Sequence, residues 1–215
     1  RLKKISSDAS FREFYRIQKD TKSTILVRAN KDKFKNLIVY AAVNKVLTDN
    51  RIKAPKLLKE YFKNDMMEIE DLGTDSFFDY VDKRKKKFHD YKKLIQIIVK
   101  LQNIKLKNYI NFKKNKIKIN NYNLTELHKE SDLFFHWYLK NNSKKKDFRK
   151  FKHEIKKELN NLYKKLYFQN LCLVHRDFHV SNIMIKKNNI SLIDSQDVIR
   201  GNLLYDIASL IDDVR

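Results

Sequence analysis

The sequence predicts an α+β chain in two lobes: a small, strand-rich N-terminal lobe over residues 1–72 and a larger helical C-terminal lobe over residues 73–215. Two observations predict it. Before Gly73 the apolar runs are short and β-branched around one helical stretch. After Gly73, apolar residues recur mainly at helical spacing. A third observation sets the problem of function. Leu173-Val174-His175-Arg176-Asp177-Phe178-His179-Val180-Ser181-Asn182 places titratable and amide groups directly behind an apolar lead-in.

The elements follow in order. Ser23–Ala29, short and β-branched, reads as a strand. Residues 32–50 carry Phe34, Leu37, Ile38, Ala41, Val46 and Leu47 at helical spacing. Pro55 follows, then two strands, Lys56–Phe62 and Met66–Leu72, around a turn at Lys63-Asn64-Asp65. Helices are expected at Tyr91–Leu106, Leu124–Leu139, Phe148–Phe168 and Leu203–Val214. The Lys/Asn-rich stretch Ile110–Tyr122 reads as loop. Leu171–Val174, Ile183–Ile185 and Ile190–Ile193 are short strands, the last two around a turn at Lys187-Asn188-Asn189. The chain begins with Arg and stops inside an apolar helical pattern, which reads as a piece truncated on its C-terminal side.

Composition narrows the function classes. At 42% hydrophobic residues the 215-residue chain can bury a core. No run of about 18 apolar residues exists, so no membrane partner is expected. The single cysteine, Cys172, excludes an internal disulfide, fits a cytoplasmic setting and reads as a small buried apolar group. The net charge of +22 comes from lysines spread along the whole chain. It therefore predicts no specific nucleic-acid site, although such a field draws anionic ligands to a cleft.

His175-Arg176-Asp177 with Asn182 five residues on is the H-R-D-x-x-x-x-N pattern of a kinase catalytic loop. Asp194 follows 17 residues after Asp177, at the end of a strand–turn–strand, where a metal-binding aspartate is expected. Phosphoryl transfer explains the residue types, because its loose transition state needs positioning and charge neutralisation. Asp177 would take or orient the proton of the attacking hydroxyl. Asn182 and Asp194 would offer hard oxygens to Mg²⁺. His175 would hold the loop, and Arg176 would pair with a carboxylate.

In the N-terminal lobe, Ile25–Arg28 stands in register with the third-strand V-A-I-K pattern. Arg28 then takes the place of the phosphate-pairing lysine, an exposed surface arginine being the plainer alternative. No glycine-rich loop exists. Ser6, Ser7, Ala9 and Ser10 would turn over the phosphates instead, with Arg12 and Arg16 as phosphate contacts. Met66–Gly73, with Glu70 and Leu72, reads as the strand and hinge that meet adenine. Tyr205 comes only eleven residues after Asp194, too close for a peptide-docking activation segment, so the acceptor is expected to be a small molecule.

The blocks "SDASFREFYRI", "HRDFHVSNIMI" and "LIDSQDVIRGNLLYDIASLIDD" resemble the aminoglycoside phosphotransferase-like superfamily, within it most the bacterial N-acetylmuramate/N-acetylglucosamine anomeric sugar kinases of cell-wall recycling. The resemblance implies a protein-kinase-like fold and ATP with Mg²⁺ in the interlobe cleft. It implies Asp177 as catalytic base, Asn182 and Asp194 as metal ligands, and Asp206 as support of the catalytic-loop backbone. An amino sugar is the implied acceptor. An aminoglycoside, choline or another amino alcohol keeps the same chemistry, and a non-catalytic pseudokinase is the reading of another class. His179, Glu130, Gln196 and Asp197 are candidate acceptor contacts. Trp137 reads as core or as a sugar-stacking ring. Three departures stand out: Ser195 for the usual Phe after the metal aspartate, Asn202 for Pro, and no Glu between Glu13 and Glu60 to partner a strand lysine.

Overall fold

The computed structural model describes residues 1–5, 12–29, 34–105, 108–169 and 171–212. The N-terminal lobe is an antiparallel sheet in the order β1-β2-β3-β5-β4. Its strands are β1 (Leu2–Ile5), β2 (Arg12–Lys19), β3 (Lys22–Ala29), β4 (Leu57–Tyr61) and β5 (Met66–Glu70). Alternation puts Ile25, Val27 and Ala29 of β3 and Met67 and Ile69 of β5 on the buried face. Helix α1 (Phe34–Asp49) covers that face. Leu37, Ala42, Val43 and Leu47 are fully buried, and Tyr40 and Ala41 nearly so. Apolar residues on so many sides are expected of a helix enclosed by protein, and α1 also packs against the C-terminal lobe.

The turn expected at residues 63–65 is present, with Asp65 at φ 57°, a left-handed conformation that Asp tolerates better than most residues. The sequence reading omitted β1 and β2. It read the segment around Arg12 as a phosphate turn, whereas residues from Arg12 onward run as a strand paired to β3 in full register.

In the C-terminal lobe, α2 (Phe77–Asp82) is a short helix capped by Ser76, whose hydroxyl accepts from Asp79 N–H at 3.1 Å. Helix α3 (Phe88–Gln102) starts three residues earlier than the periodicity suggests and stops before Leu106. The expected loop 110–122 contains a hairpin, β6 (Tyr109–Phe112) and β7 (Asn115–Lys118). Ile110, Phe112 and Ile119 are buried while their neighbours face outward, a period of two hidden by the lysines and asparagines between them. Helix α4 (Leu124–Leu133) runs into a π-helical stretch, Phe134–Leu139, and a last α-turn, α5 (Lys140–Asn142). Helix α6 spans Lys145–Tyr163.

The remainder holds β8 (Cys172–Val174), the hairpin β9 (Ile183–Lys186) and β10 (Asn189–Leu192), β11 (Ile199–Gly201) and α7 (Tyr205–Ile211). The β9–β10 turn has Lys187 and Asn188 at φ 49° and 61°, the two left-handed residues of a tight hairpin. The sequence reading missed α2 and β11, which pairs antiparallel with β8. One buried apolar cluster runs from β3 through α1 and α3 to Leu210 of α7. It fixes both lobes on either side of the turns described next.

Candidate active site

Two turns build the site. The first follows β8 and carries residues 175–182. Asp206 of α7, fully buried, anchors it: its Oδ2 accepts from His175 N–H at 2.8 Å and its Oδ1 from Arg176 N–H at 3.0 Å. Burial pushes the Asp206 carboxyl up to about 6, against the pull of those two N–H groups. His175 is wholly buried, edge-on to Phe178 at 6.1 Å between ring centroids. Burial lowers its pKa to about 4, so at neutral pH it is an uncharged wedge under the loop. Arg176 sits at φ 76° and reaches Glu130 of α4. The other Glu130 oxygen accepts from the Tyr122 hydroxyl at 2.5 Å.

These anchors hold Asp177, which is half-buried. Its pKa is raised, by burial first and then by the negative charges of Asp194 and Asp197. Asn182 closes the turn: its side-chain amide donates to Asp177 O at 3.1 Å and lies 3.0 Å from His179 Nε2. With the amide nitrogen so engaged, the amide oxygen remains as the acceptor of that side chain. The backbone carbonyl of Asn182 accepts from Ile193 N–H at 3.0 Å, which brings the second turn alongside.

That second turn begins at Asp194, at φ 62° and ψ 37°. Its carboxylate is about a third exposed and ion-paired to Arg12 of β2. Arg12 is 4% exposed and also donates to Gln196 Oε1 at 2.7 Å. Gln196 in turn donates to Asp197 Oδ2 at 2.6 Å. Ser195, the departure from the usual Phe, is fully buried and donates its hydroxyl to Asn44 Oδ1 of α1 at 2.6 Å. Asn44 donates on to Pro55 O at 3.0 Å. A polar anchor stands where an apolar one was expected, and α1 supplies its matching amide.

Asp177, His179 and Asn182 on the first turn and Asp194, Gln196 and Asp197 on the second therefore gather together, Arg12 reaches them from β2, and His175 and Asp206 lie beneath them. Other expected residues lie elsewhere. Arg28 is on the outer face of the sheet, 62% exposed, with its guanidinium 3.7 Å from Glu13. Glu70 shares that face and Leu72 is half-buried at the hinge. Ser6, Ser7, Ala9 and Ser10 lie outside the described residues. Glu130 is engaged through both oxygens, by Arg176 and by Tyr122, with about a third of its side chain exposed. Trp137 is not core: it is 72% exposed on the π-helical stretch.

Sequence reasoning missed Asp71 at the hinge. It is 4% exposed, accepts from Arg16 Nε at 2.7 Å and from Gly73 N–H at 2.9 Å, and its carbonyl accepts from Lys186 Nζ at 2.7 Å. The signal that would have found it is the aspartate beside Gly73 in a hinge. Among the described residues no cluster of three or more His, Cys, Asp or Glu forms a metal cage, and no helix is long and apolar enough to cross a membrane.

Comparison with known proteins supplies the rest. A family model described as "Phosphotransferase enzyme family" matches residues 1–215. The N-acetylmuramate/N-acetylglucosamine kinase of Pseudomonas putida is 26% identical over 212 residues, and that of Pseudomonas aeruginosa 23% over 208. Each alignment covers 97% of this chain but only 58% of the relative, so the chain spans little more than half their length. Among solved structures, a thermostable mutant of aminoglycoside phosphotransferase APH(4)-Ia aligns with TM-score 0.68 at 14% identity, over 97% of this chain and 71% of that one. Choline kinase LicA from Streptococcus pneumoniae aligns with TM-score 0.61 at 14% identity, over 98% and 68%. The two-lobed kinase-like fold is therefore that of the chain.

Proposed function

The chain belongs to the phosphotransferase enzyme family, and we propose that it moves the γ-phosphoryl group of ATP to a hydroxyl of a small molecule, an amino sugar of the N-acetylmuramate/N-acetylglucosamine type. One observation carries the reading: the turn holding Asp177 and Asn182 and the turn starting at Asp194 are bonded side by side, with Asp206 fixing the first from below. Complexes of the APH(4)-Ia mutants with ADP or AMP-PNP support a nucleoside triphosphate as donor.

Asp177 takes the proton of the acceptor hydroxyl as the new O–P bond forms and the bond to the leaving ADP oxygen breaks. Its raised pKa suits a group that must accept a proton at that moment. The amide oxygen of Asn182 and the carboxylate of Asp194 are the hard donors that would hold Mg²⁺. The chemistry supplied by the ion when bound is neutralisation of charge on the phosphoryl oxygens. Asn182 keeps its amide nitrogen on Asp177 O, so the base and the metal ligand hold one another in register.

The acceptor reading draws on the two Pseudomonas relatives. An aminoglycoside or choline as acceptor is the second reading, favoured by the fold of the solved structures. The test is ATP consumption with Mg²⁺ and N-acetylmuramate, N-acetylglucosamine, choline or an aminoglycoside, beside Asp194→Ala. Sugar-stimulated turnover that vanishes in the variant is expected. Turnover stimulated only by choline or an aminoglycoside would replace the sugar, and equal turnover in the variant would remove Asp194 from the mechanism.

A further inference from the structure

We propose that Arg12, and not Arg28, is the positioning residue of the metal and phosphate site, holding Asp194 where it takes a divalent cation together with nucleotide. The inference rests on the phosphoryl-transfer reading of that site and assigns it the cation that couples the lobes.

Strand register decides between the two arginines. Residues paired across antiparallel strands lie on one face of the sheet. Arg12 pairs with Ala29, and Glu13 with Arg28. Ala29 and Val27 are on the buried face, so Arg12 points inward and Arg28 outward. The outward arginine is mostly exposed beside Glu13, whereas the inward one crosses from the N-terminal sheet to the turn of Asp194 in the other lobe.

The shape of the side chain fits the task. The Arg12 guanidinium lies over the rings of Phe14 and Tyr40, at 5.7 and 5.5 Å from their centroids. Both rings limit its tilt, and its two terminal nitrogens serve Asp194 and Gln196 together. A lysine offers a point charge without that fork.

Arg12 gives Asp194 such an anchor. At φ 62° Asp194 takes the left-handed conformation that aspartate tolerates better than most residues, and Arg12 pairs with the carboxylate this turn presents. Arg12 engages Oδ1, and about a third of the Asp194 side chain stays exposed. Helix α1 contributes Asn44 and Tyr40 at this point, neither of them charged, so among the described residues the ionic coupling between sheet and metal turn is that of Arg12.

The experiment measures binding rather than turnover: the affinity for ADP by calorimetry, once with Mn²⁺ and once with EDTA, in the 215-residue chain. The ratio of the two affinities reports how well Asp194 takes the metal with the nucleotide. We expect a ratio of tenfold or more in the unaltered protein and in Arg28→Met. It should fall below about threefold in Arg12→Met, with affinity in EDTA little changed, and Arg12→Lys should lie between. General loss of structure would instead lower both affinities together. A ratio that survives Arg12→Met, or a folded Arg12→Lys with the full ratio beside an Arg28→Met with none, would overturn the assignment to Arg12 alone. No metal-dependent gain in the unaltered protein would sink both the metal reading of Asp194 and this inference.

Discussion

Replacing Asp206 by Asn should cost more stability in acid than at neutral pH. The carboxyl is fully buried with a pKa near 6, above its ordinary 3.8. A carboxyl whose folded pKa is raised binds its proton more tightly folded than unfolded. Stability from this group is therefore greatest below about 3.8 and is lost as pH rises through about 6. The gap, at about 1.36 kcal/mol per pH unit, is worth about 3 kcal/mol, of which about 2 kcal/mol is realised at pH 4.5. Asn cannot take up that proton.

Urea unfolding of both proteins at pH 7.5 and pH 4.5 gives the difference directly. The destabilisation by Asp206→Asn should be larger at pH 4.5 by about 2 kcal/mol. His175 acts in the opposite sense. Its pKa is lowered to about 4 from 6.5, so it withdraws stability as pH falls through that window. In the unaltered protein the two slopes largely offset, and the variant should expose the histidine as acid lability between pH 6.5 and 4. A destabilisation that is the same at both pH values, or smaller in acid, would refute the raised carboxyl. The two backbone N–H bonds would then outweigh the burial.

Two further outcomes follow from packing and polar pairing. Asn44→Leu should destabilise by about 2–4 kcal/mol, since it strips partners from the buried Ser195 hydroxyl and Pro55 carbonyl. A double-mutant cycle with Ser195→Ala should return a coupling of about 1 kcal/mol, and a denaturation midpoint unmoved by Asn44→Leu would contradict the pairing. Gly201→Ala would set a Cβ 2.9 Å from Cγ2 of the fully buried, branched Val174. It should cost about 1–3 kcal/mol by overpacking, read from urea unfolding.

The site was legible because its chemistry is local. His175, Asp177 and Asn182 fall within eight residues, and Asp194 follows one hairpin later, so spacing alone places them on neighbouring turns. What joins them to the rest is not local. Arg12 meets Asp194 from 182 residues away, and Ser195 meets Asn44 from 151, so neither pairing leaves a periodic trace. Arg28 looked right because a motif register fixes position along a strand. Which face it points to also depends on where the neighbouring strands and α1 lie. The hairpin β6–β7 was masked by composition: four of the residues between its buried apolar positions are lysines. The fold class survived these local errors because the strand-to-helix change near Gly73 is a property of whole segments.

The π-helical stretch Phe134–Leu139 has a consequence for how this chain lines up with others. Widening each backbone ring by one residue turns the chain less per residue, so everything after it is rotated out of phase with α4. Phe135 and Leu139 are carried inward, while Phe134, Trp137 and Tyr138 are left outside. A relative with an unbroken α-helix here would match it only through a one-residue gap. Deleting one residue from the stretch should therefore restore ordinary helix while keeping the phase of both flanks.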